Sequence, residues 1–151
     1  MTEPTNNTGG GRSKVLPLIA ILFAMAGLID ALYLTYHHYT AEPVPCTITG
    51  GCEMVLTSDY ATFHDIPIAI FGAAAYLVAL VLALIASSGR RWAWTLYGLQ
   101  TFVMAAFSGW LIYVQANYIH AYCQFCLLSA GTSFTLFLIF LISLIFRRLN
   151  P

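Results

Sequence analysis

The sequence predicts an all-α integral membrane protein, a four-transmembrane-helix bundle. Three observations predict this fold class. Of the 151 residues, 60% are hydrophobic and 8% are charged, whereas a soluble domain carries about 25% charged residues. The apolar residues fall into four runs of about 20 residues or more, and each run is long enough to cross a bilayer. The basic residues all fall in the segments at one side of these four runs.

Each segment is assigned in chain order. Residues 1–14 are polar and Gly-rich, which predicts a disordered cytoplasmic tail. Residues 15–148 form the four-helix membrane domain, and its first run, 15–36, is too long for a signal-peptide core. Residues 37–65 are polar and contain two prolines, two glycines and two cysteines. They predict an exoplasmic loop with room for a short half-helix. The other three helices are predicted at about 66–86, 92–116 and 124–146.

The orientation follows from the basic residues, which are Arg12, Lys14, Arg90, Arg91, Arg147 and Arg148. By the positive-inside rule their side of the membrane is cytoplasmic. We therefore expect a multi-pass protein of the cell (inner) membrane with both termini in the cytoplasm. All four cysteines then face the periplasm or exterior, where disulfides persist. The net charge is zero and there is no basic tract, so nothing supports nucleic-acid binding.

The cysteines form two pairs, Cys46-x5-Cys52 in the loop and Cys123-x2-Cys126 at the start of the fourth helix. A helix N-terminus favours the reactive thiolate. Three interpretations compete: two static disulfides in a non-enzymatic membrane scaffold, a four-thiolate zinc site, and a relay that works by thiol–disulfide exchange. So small a ring stabilises a static fold little, and the spacings fit zinc only in part. The pattern favours the relay, and no metal site is predicted.

Further motifs lie around these pairs. They are Cys52-x5-Ser58, Tyr60-Ala-Thr-Phe63, Ile66-Pro67, Phe71-Gly72 and Cys123-x-x-Cys126-Leu-Leu-Ser-Ala130. In this order, over about residues 15–147, they resemble the vitamin K epoxide reductase (VKOR) family in its bacterial and archaeal branch. The resemblance implies a four-helix bundle around a quinone pocket, with menaquinone or ubiquinone as electron acceptor. No thioredoxin domain is present in the sequence, so the expected partner is a separate thioredoxin-fold, DsbA-like protein.

The resemblance also implies a role for each cysteine. Cys46 meets the partner, Cys52 reduces the Cys123–Cys126 disulfide, and Cys126 faces the quinone. The implied activity is that of a thiol–disulfide oxidoreductase that supports disulfide bond formation. The disulfide pairing at rest stays open, because Cys52–Cys123 is as compatible with the sequence as the two local pairs.

The candidate pocket residues are less specific than the cysteines. By resemblance, Ser58 belongs to a loop that covers the pocket. Aromatic Phe63 and Phe71 are candidates to stack on a quinone, and Ser129 shares a helix face with Cys126. Asp30 is a carboxyl group deep in the first helix, where a functional role is the default hypothesis.

The chain departs from the animal enzymes of the family at two positions. Those enzymes have an asparagine and a tyrosine that bind the vitamin K head group, and Ile68 and Ala130 take these places here. This argues for plain quinone reduction, with vitamin K epoxide reduction as the alternative.

Overall fold

Four long apolar helices form the body of the chain in the computed structural model, which describes residues 10–149 and the side chains of residues 14–149. Each helix has the length and composition to cross a membrane. They are α1 (Gly10–Thr40), α3 (Ile68–Ser87), α4 (Arg91–Val114), which a π-helical segment (Gln115–Ile119) continues, and α5 (Gln124–Leu149). The predicted fold class is confirmed.

The first helix begins earlier than predicted. The disordered tail was expected over residues 1–14, of which residues 1–9 lie outside the described residues. Residues 10–14 are already helical, because α1 begins at Gly10. Extending a formed helix costs little once it is nucleated, and Arg12 and Lys14 are good helix formers. Within the described residues, the helix therefore begins before the predicted start at residue 15.

The four helices pack in a ring, in which α1 and α4 each contact both α3 and α5. Neighbouring helices run in opposite directions, so the α1–α3 loop and the α4–α5 connection lie at the same end of the bundle. Small residues admit aromatic rings from the neighbouring helix. The Tyr76 ring occupies the place that a side chain at Gly27 would take, and the Phe140 ring does the same at Gly98.

The α1–α3 loop is folded over the end of the bundle. It contains the half-helix α2 (Cys52–Leu56), which packs against the π-helical segment. It also contains a short antiparallel hairpin of β1 (Thr62–Phe63) and β2 (Ile66–Pro67), which the sequence did not predict. The turn residues His64 and Asp65 both have positive φ, 51° and 65°, as a two-residue type I′ turn requires.

Candidate functional site: two cysteine pairs beside an apolar cavity

The loop pair is a disulfide. Cys46 and Cys52 are bonded with their Cα atoms 5.8 Å apart. Cys46 is half-buried while Cys52 is fully buried, and the Thr49 hydroxyl lies 3.2 Å from Cys46 Sγ. Of the pairings that the sequence left open, the local one is present in the loop. A four-thiolate zinc site does not exist in this state, because the disulfide uses two of the four sulfurs.

The second pair consists of two free thiols, Cys123 and Cys126. The expectation of a Cys123–Cys126 disulfide therefore does not describe this state. Cys123 lies directly before α5, and its carbonyl accepts a hydrogen bond from Leu127 N–H at 3.0 Å. It thus occupies the helix-capping position that the apolar pattern predicted.

The surroundings of Cys123 favour its thiolate. A hydrogen bond from the Cys126 thiol is the main cause that lowers the pKa of Cys123 to about 7. Burial raises the pKa, and so does the nearby Asp30 carboxylate, whereas hydrogen bonds from the backbone N–H groups of Cys126 and Phe125 lower it further. A free cysteine has a pKa of about 8.5. Cys123 is therefore the member of the pair that is prepared to lose its proton near neutral pH.

Gln115 holds the backbone of Cys123 in place, and sequence reasoning missed it. Its side chain is 3% exposed, and its Oε1 accepts the Cys123 N–H at 3.0 Å. Its own carbonyl accepts the Ala121 N–H at 3.3 Å. The connection turns through His120, which has a left-handed φ of 55°. The sequence signal that could have identified Gln115 is the presence of a glutamine at the end of an apolar run.

The two pairs meet in one buried cluster. Cys52 and Cys123 are both fully buried and share this cluster with Leu34, Val44 and Val55. The backbone at Gly51 is pressed against the segment before Cys123. A Cβ atom at Gly51 would lie 2.7 Å from the Tyr122 carbonyl oxygen. The fold therefore brings the inner cysteine of the loop onto the first cysteine of the C-x-x-C motif.

A cavity of about 790 Å³ lies beside the second pair. Residues of all four long helices and of the loop form its wall, which is mostly apolar, and Cys126 is part of this wall. Four of the predicted pocket residues line it: Ser58, Phe63, Phe71 and Ser129. The rings of Phe63 and Phe71 meet edge to face with their centroids 6.3 Å apart. Such a volume and lining are typical of a small-molecule site.

Ala31 and Leu34 are the residues of α1 that line the cavity. Asp30 is next to Ala31 in the chain, and its place in a quinone site stays a prediction. It is 8% exposed, and its Oδ2 has no hydrogen-bond partner among the described residues.

A cluster of three hydroxyl groups on the cavity wall was also missed. Tyr76 of α3 donates a hydrogen bond to the Ser129 carbonyl at 2.6 Å. The same phenol oxygen lies 3.0 Å from Ser129 Oγ and 3.0 Å from Ser133 Oγ. Ile68 and Ala130 also line the cavity. The polar groups in this part of the wall thus come from Tyr76 and two serines.

Comparisons with known proteins agree with this arrangement. The model of the vitamin K epoxide reductase family matches residues 18–141. Thiol-disulfide oxidoreductase LTO1 of Arabidopsis thaliana is 34% identical over 122 residues, which are 73% of this chain and 32% of the relative. The chain spans about a third of that relative's length. Both matches support a membrane redox function. The chain belongs to the vitamin K epoxide reductase family, as its motif order predicted.

Proposed function

We propose that the protein is a membrane thiol–disulfide oxidoreductase that reoxidises a thioredoxin-fold, DsbA-like protein and passes the electrons to a membrane quinone. One observation carries this proposal. Cys52 of the loop disulfide and Cys123 share a buried cluster, and Cys126 lies on the wall of the cavity. The two pairs thus form a path from the surface of the loop to an apolar site for a small molecule.

The first step is exchange between the partner and the loop. A thiolate of the reduced partner attacks Cys46 Sγ, because Cys46 is half-buried and Cys52 is fully buried. The Cys46–Cys52 bond breaks, and its electron pair leaves on Cys52. The second thiol of the partner then displaces Cys46. The partner leaves as a disulfide, and the loop retains two thiols.

The second step passes the electrons inward. The Cys52 thiolate attacks Cys123 in the oxidised inner pair, and Cys126 is the leaving group. Cys46 then attacks Cys52, which restores the loop disulfide and releases Cys123 as a thiol. The product has an oxidised loop pair and a reduced inner pair, which is the arrangement of bonds in the structure.

The cavity fits a quinone by size and by chemistry. Its wall is mostly apolar, and Cys126 and the hydroxyls of Tyr76, Ser129 and Ser133 are among its polar groups. A bound quinone would supply the capacity to accept two electrons as the inner pair closes to a disulfide. The Tyr76 hydroxyl donates its proton to the Ser129 carbonyl, so a hydrogen bond to a quinone carbonyl would require the hydroxyl to turn away from Ser129. The apolar wall would limit access of water to the reacting atoms.

The isoprenoid tail of a quinone would leave the cavity through the side of the bundle. Phe71 on α3 and Val103 and Phe107 on α4 line the cavity and are about half-exposed. In a membrane we expect these three residues to contact the quinone tail and the surrounding lipid.

The positive-inside rule supports a cytoplasmic location of both termini and a periplasmic or exterior location of the cysteine end.

Two alternatives are less well supported. A scaffold with two static disulfides would leave the shared cluster of Cys52 and Cys123, and the cavity beside Cys126, without a role. Epoxide reduction in the manner of the animal enzymes relies on polar head-group ligands at two positions. These positions are the apolar Ile68 and Ala130, which both lie on the cavity wall.

Turnover of the purified protein tests the proposal. We expect reduced DsbA-like protein to drive a fall in the absorbance of a soluble ubiquinone or menaquinone analogue. Cys46→Ala is expected to stop turnover with the protein partner, and Cys126→Ala is expected to stop quinone reduction with any electron donor. No absorbance change with either quinone, or an unaffected Cys126→Ala variant, would refute the proposed path.

A further inference from the structure

A long-range hydrogen bond ties the ring of residues 46–52 to the start of α5. Ile48 N–H donates to Gln124 Oε1 at 2.9 Å, across 76 positions of the chain. Gln124 is the first residue of α5 and follows Cys123 directly. The neighbouring hydrogen bonds of the ring are local, such as the one between Val55 N–H and the Gly51 carbonyl.

The ring contacts the chain on both sides of Cys123. Ile48 is bonded to Gln124, which follows Cys123, while Gly51 is pressed against Tyr122, which precedes it. A Cβ atom at Gly51 would lie 2.9 Å from Tyr122 N, so the contact is between backbones. Because Cys52 follows Gly51, these two contacts together set the position of Cys52 relative to Cys123.

Burial alone does not fix this part of the loop. Residues 47–50 are exposed, and Ile48 has 84% of its surface accessible. The Ile48 N–H would otherwise bond to water. Disulfide exchange demands close approach and alignment of the reacting sulfurs, so it depends strongly on positioning. The bond to Gln124 provides orientation at the exposed end of the ring.

We propose that Gln124 is a positioning residue that docks the loop segment 46–52 on Cys123, so that Cys52 is in place for electron transfer once the loop disulfide has been opened. The proposal rests on the function proposed above and adds a residue to it. In the step concerned, the Cys52–Cys123 bond forms while the Cys123–Cys126 bond breaks, and the electron pair leaves on Cys126. Gln124 takes no part in this chemistry. It acts by fixing the position of the loop relative to Cys123.

Two double-cysteine backgrounds of the full chain separate positioning from other effects. Cys46→Ala with Cys126→Ala leaves Cys52 and Cys123, so its disulfide reports loop docking. Cys46→Ala with Cys52→Ala leaves Cys123 and Cys126, so its disulfide reports the inner pair alone. Each purified protein is equilibrated with oxidised and reduced glutathione. Formation of one protein disulfide converts one molecule of oxidised glutathione into two molecules of reduced glutathione. Mass spectrometry of the quenched samples gives both equilibrium constants.

Gln124→Leu removes the acceptor with little change in size, and Gln124→Glu keeps an acceptor oxygen as the matched control. We expect Gln124→Leu to lower the Cys52–Cys123 constant about fivefold, the value of one ordinary hydrogen bond. The Cys123–Cys126 constant should stay within about twofold, and Gln124→Glu should restore the ratio of the two constants. A charge effect of the new carboxylate on Cys123 acts in both backgrounds and cancels in this ratio.

Two results would overturn the proposal. One is an unchanged Cys52–Cys123 constant in Gln124→Leu, and the other is an equal fall in both constants, which would indicate a general structural role. The Cys123–Cys126 background also shows whether each variant is folded. The measurement uses neither partner nor quinone, so its failure is distinct from failure of the proposed function.

Discussion

The Tyr76 hydroxyl gives the sharpest test of the cavity. Tyr76→Phe removes a buried phenol oxygen that donates to the Ser129 carbonyl at 2.6 Å and lies 3.0 Å from two serine hydroxyls. The two serines can turn to their own helix backbone. The net loss is therefore one to two hydrogen bonds, or about 1–2 kcal/mol of stability. The ring itself stays packed against Gly27.

Tyr97→Phe is the matched control. Tyr97 is also fully buried, and its hydroxyl donates to the Leu136 carbonyl at 3.0 Å. It does not contribute to the cavity wall. Loss of the hydrogen bond between the Tyr97 hydroxyl and the Leu136 carbonyl should lower the free energy of unfolding by about 1 kcal/mol. The two variants should therefore melt within a few degrees of each other in detergent. Stability alone therefore does not separate them, and quinone kinetics must.

Steady-state quinone reduction separates the two tyrosines. If the Tyr76 hydroxyl bonds a quinone carbonyl, Tyr76→Phe should raise KM for the quinone about fivefold, the value of one hydrogen bond. KM for the protein partner should not change, because the partner acts at the loop. Tyr97→Phe should leave both constants near their wild-type values. An unchanged quinone KM in Tyr76→Phe, or an equal rise in both variants, would refute the role of this hydroxyl.

Three further predictions follow from the geometry. The Cys123 pKa of about 7 means that the ultraviolet absorbance of the thiolate in the Cys46→Ala, Cys52→Ala background should rise with a midpoint near pH 7, not near about 8.5 as for a free thiol. This readout needs no access of a reagent to the buried Cys123, and a midpoint above pH 8 would contradict the prediction. Gly27→Ala should lower Tm because the new methyl group meets the Tyr76 ring, whereas Gly72→Ala, whose Cβ meets the nearest atom at 3.8 Å, should have little effect. Asp65→Gly should raise the free energy of unfolding by up to about 1 kcal/mol, because Asp65 has a φ of 65°; a lower Tm in this variant would contradict the prediction.

The sequence predicted the parts of the site that depend on chain order. Cys123 was expected at a helix start because a long apolar run begins just after it, and it does cap α5. A short half-helix was expected as a possibility in the loop, and α2 begins at Cys52. The helix start at Cys123 was predicted correctly because hydrophobic periodicity and run length determine where membrane helices begin.

The rest depended on which way side chains point across the bundle. Tyr76 and Gln115 lie in apolar runs, where nothing in the local pattern shows which neighbour each contacts. Asp30 stays a predicted pocket residue because a carboxyl at that depth is costly, although depth does not fix the direction of a side chain around the helix. The turn at His64 and Asp65 contains no glycine, so the usual hairpin signal was absent. The disulfide pairing also depended on tertiary contacts alone.

Under the proposed function, the inner pair and the cavity must together supply protons to the quinone. Two-electron reduction of a quinone to a quinol takes up two protons. The hydrogen bond from the Cys126 thiol lowers the pKa of Cys123, and wherever Cys123 is a thiolate the reduced pair carries one proton instead of two. The second proton must then come from outside the pair. The hydroxyls of Tyr76, Ser129 and Ser133 line the same cavity as Cys126 and are hydrogen-bonded to one another, so we expect such a proton to reach the quinone through them.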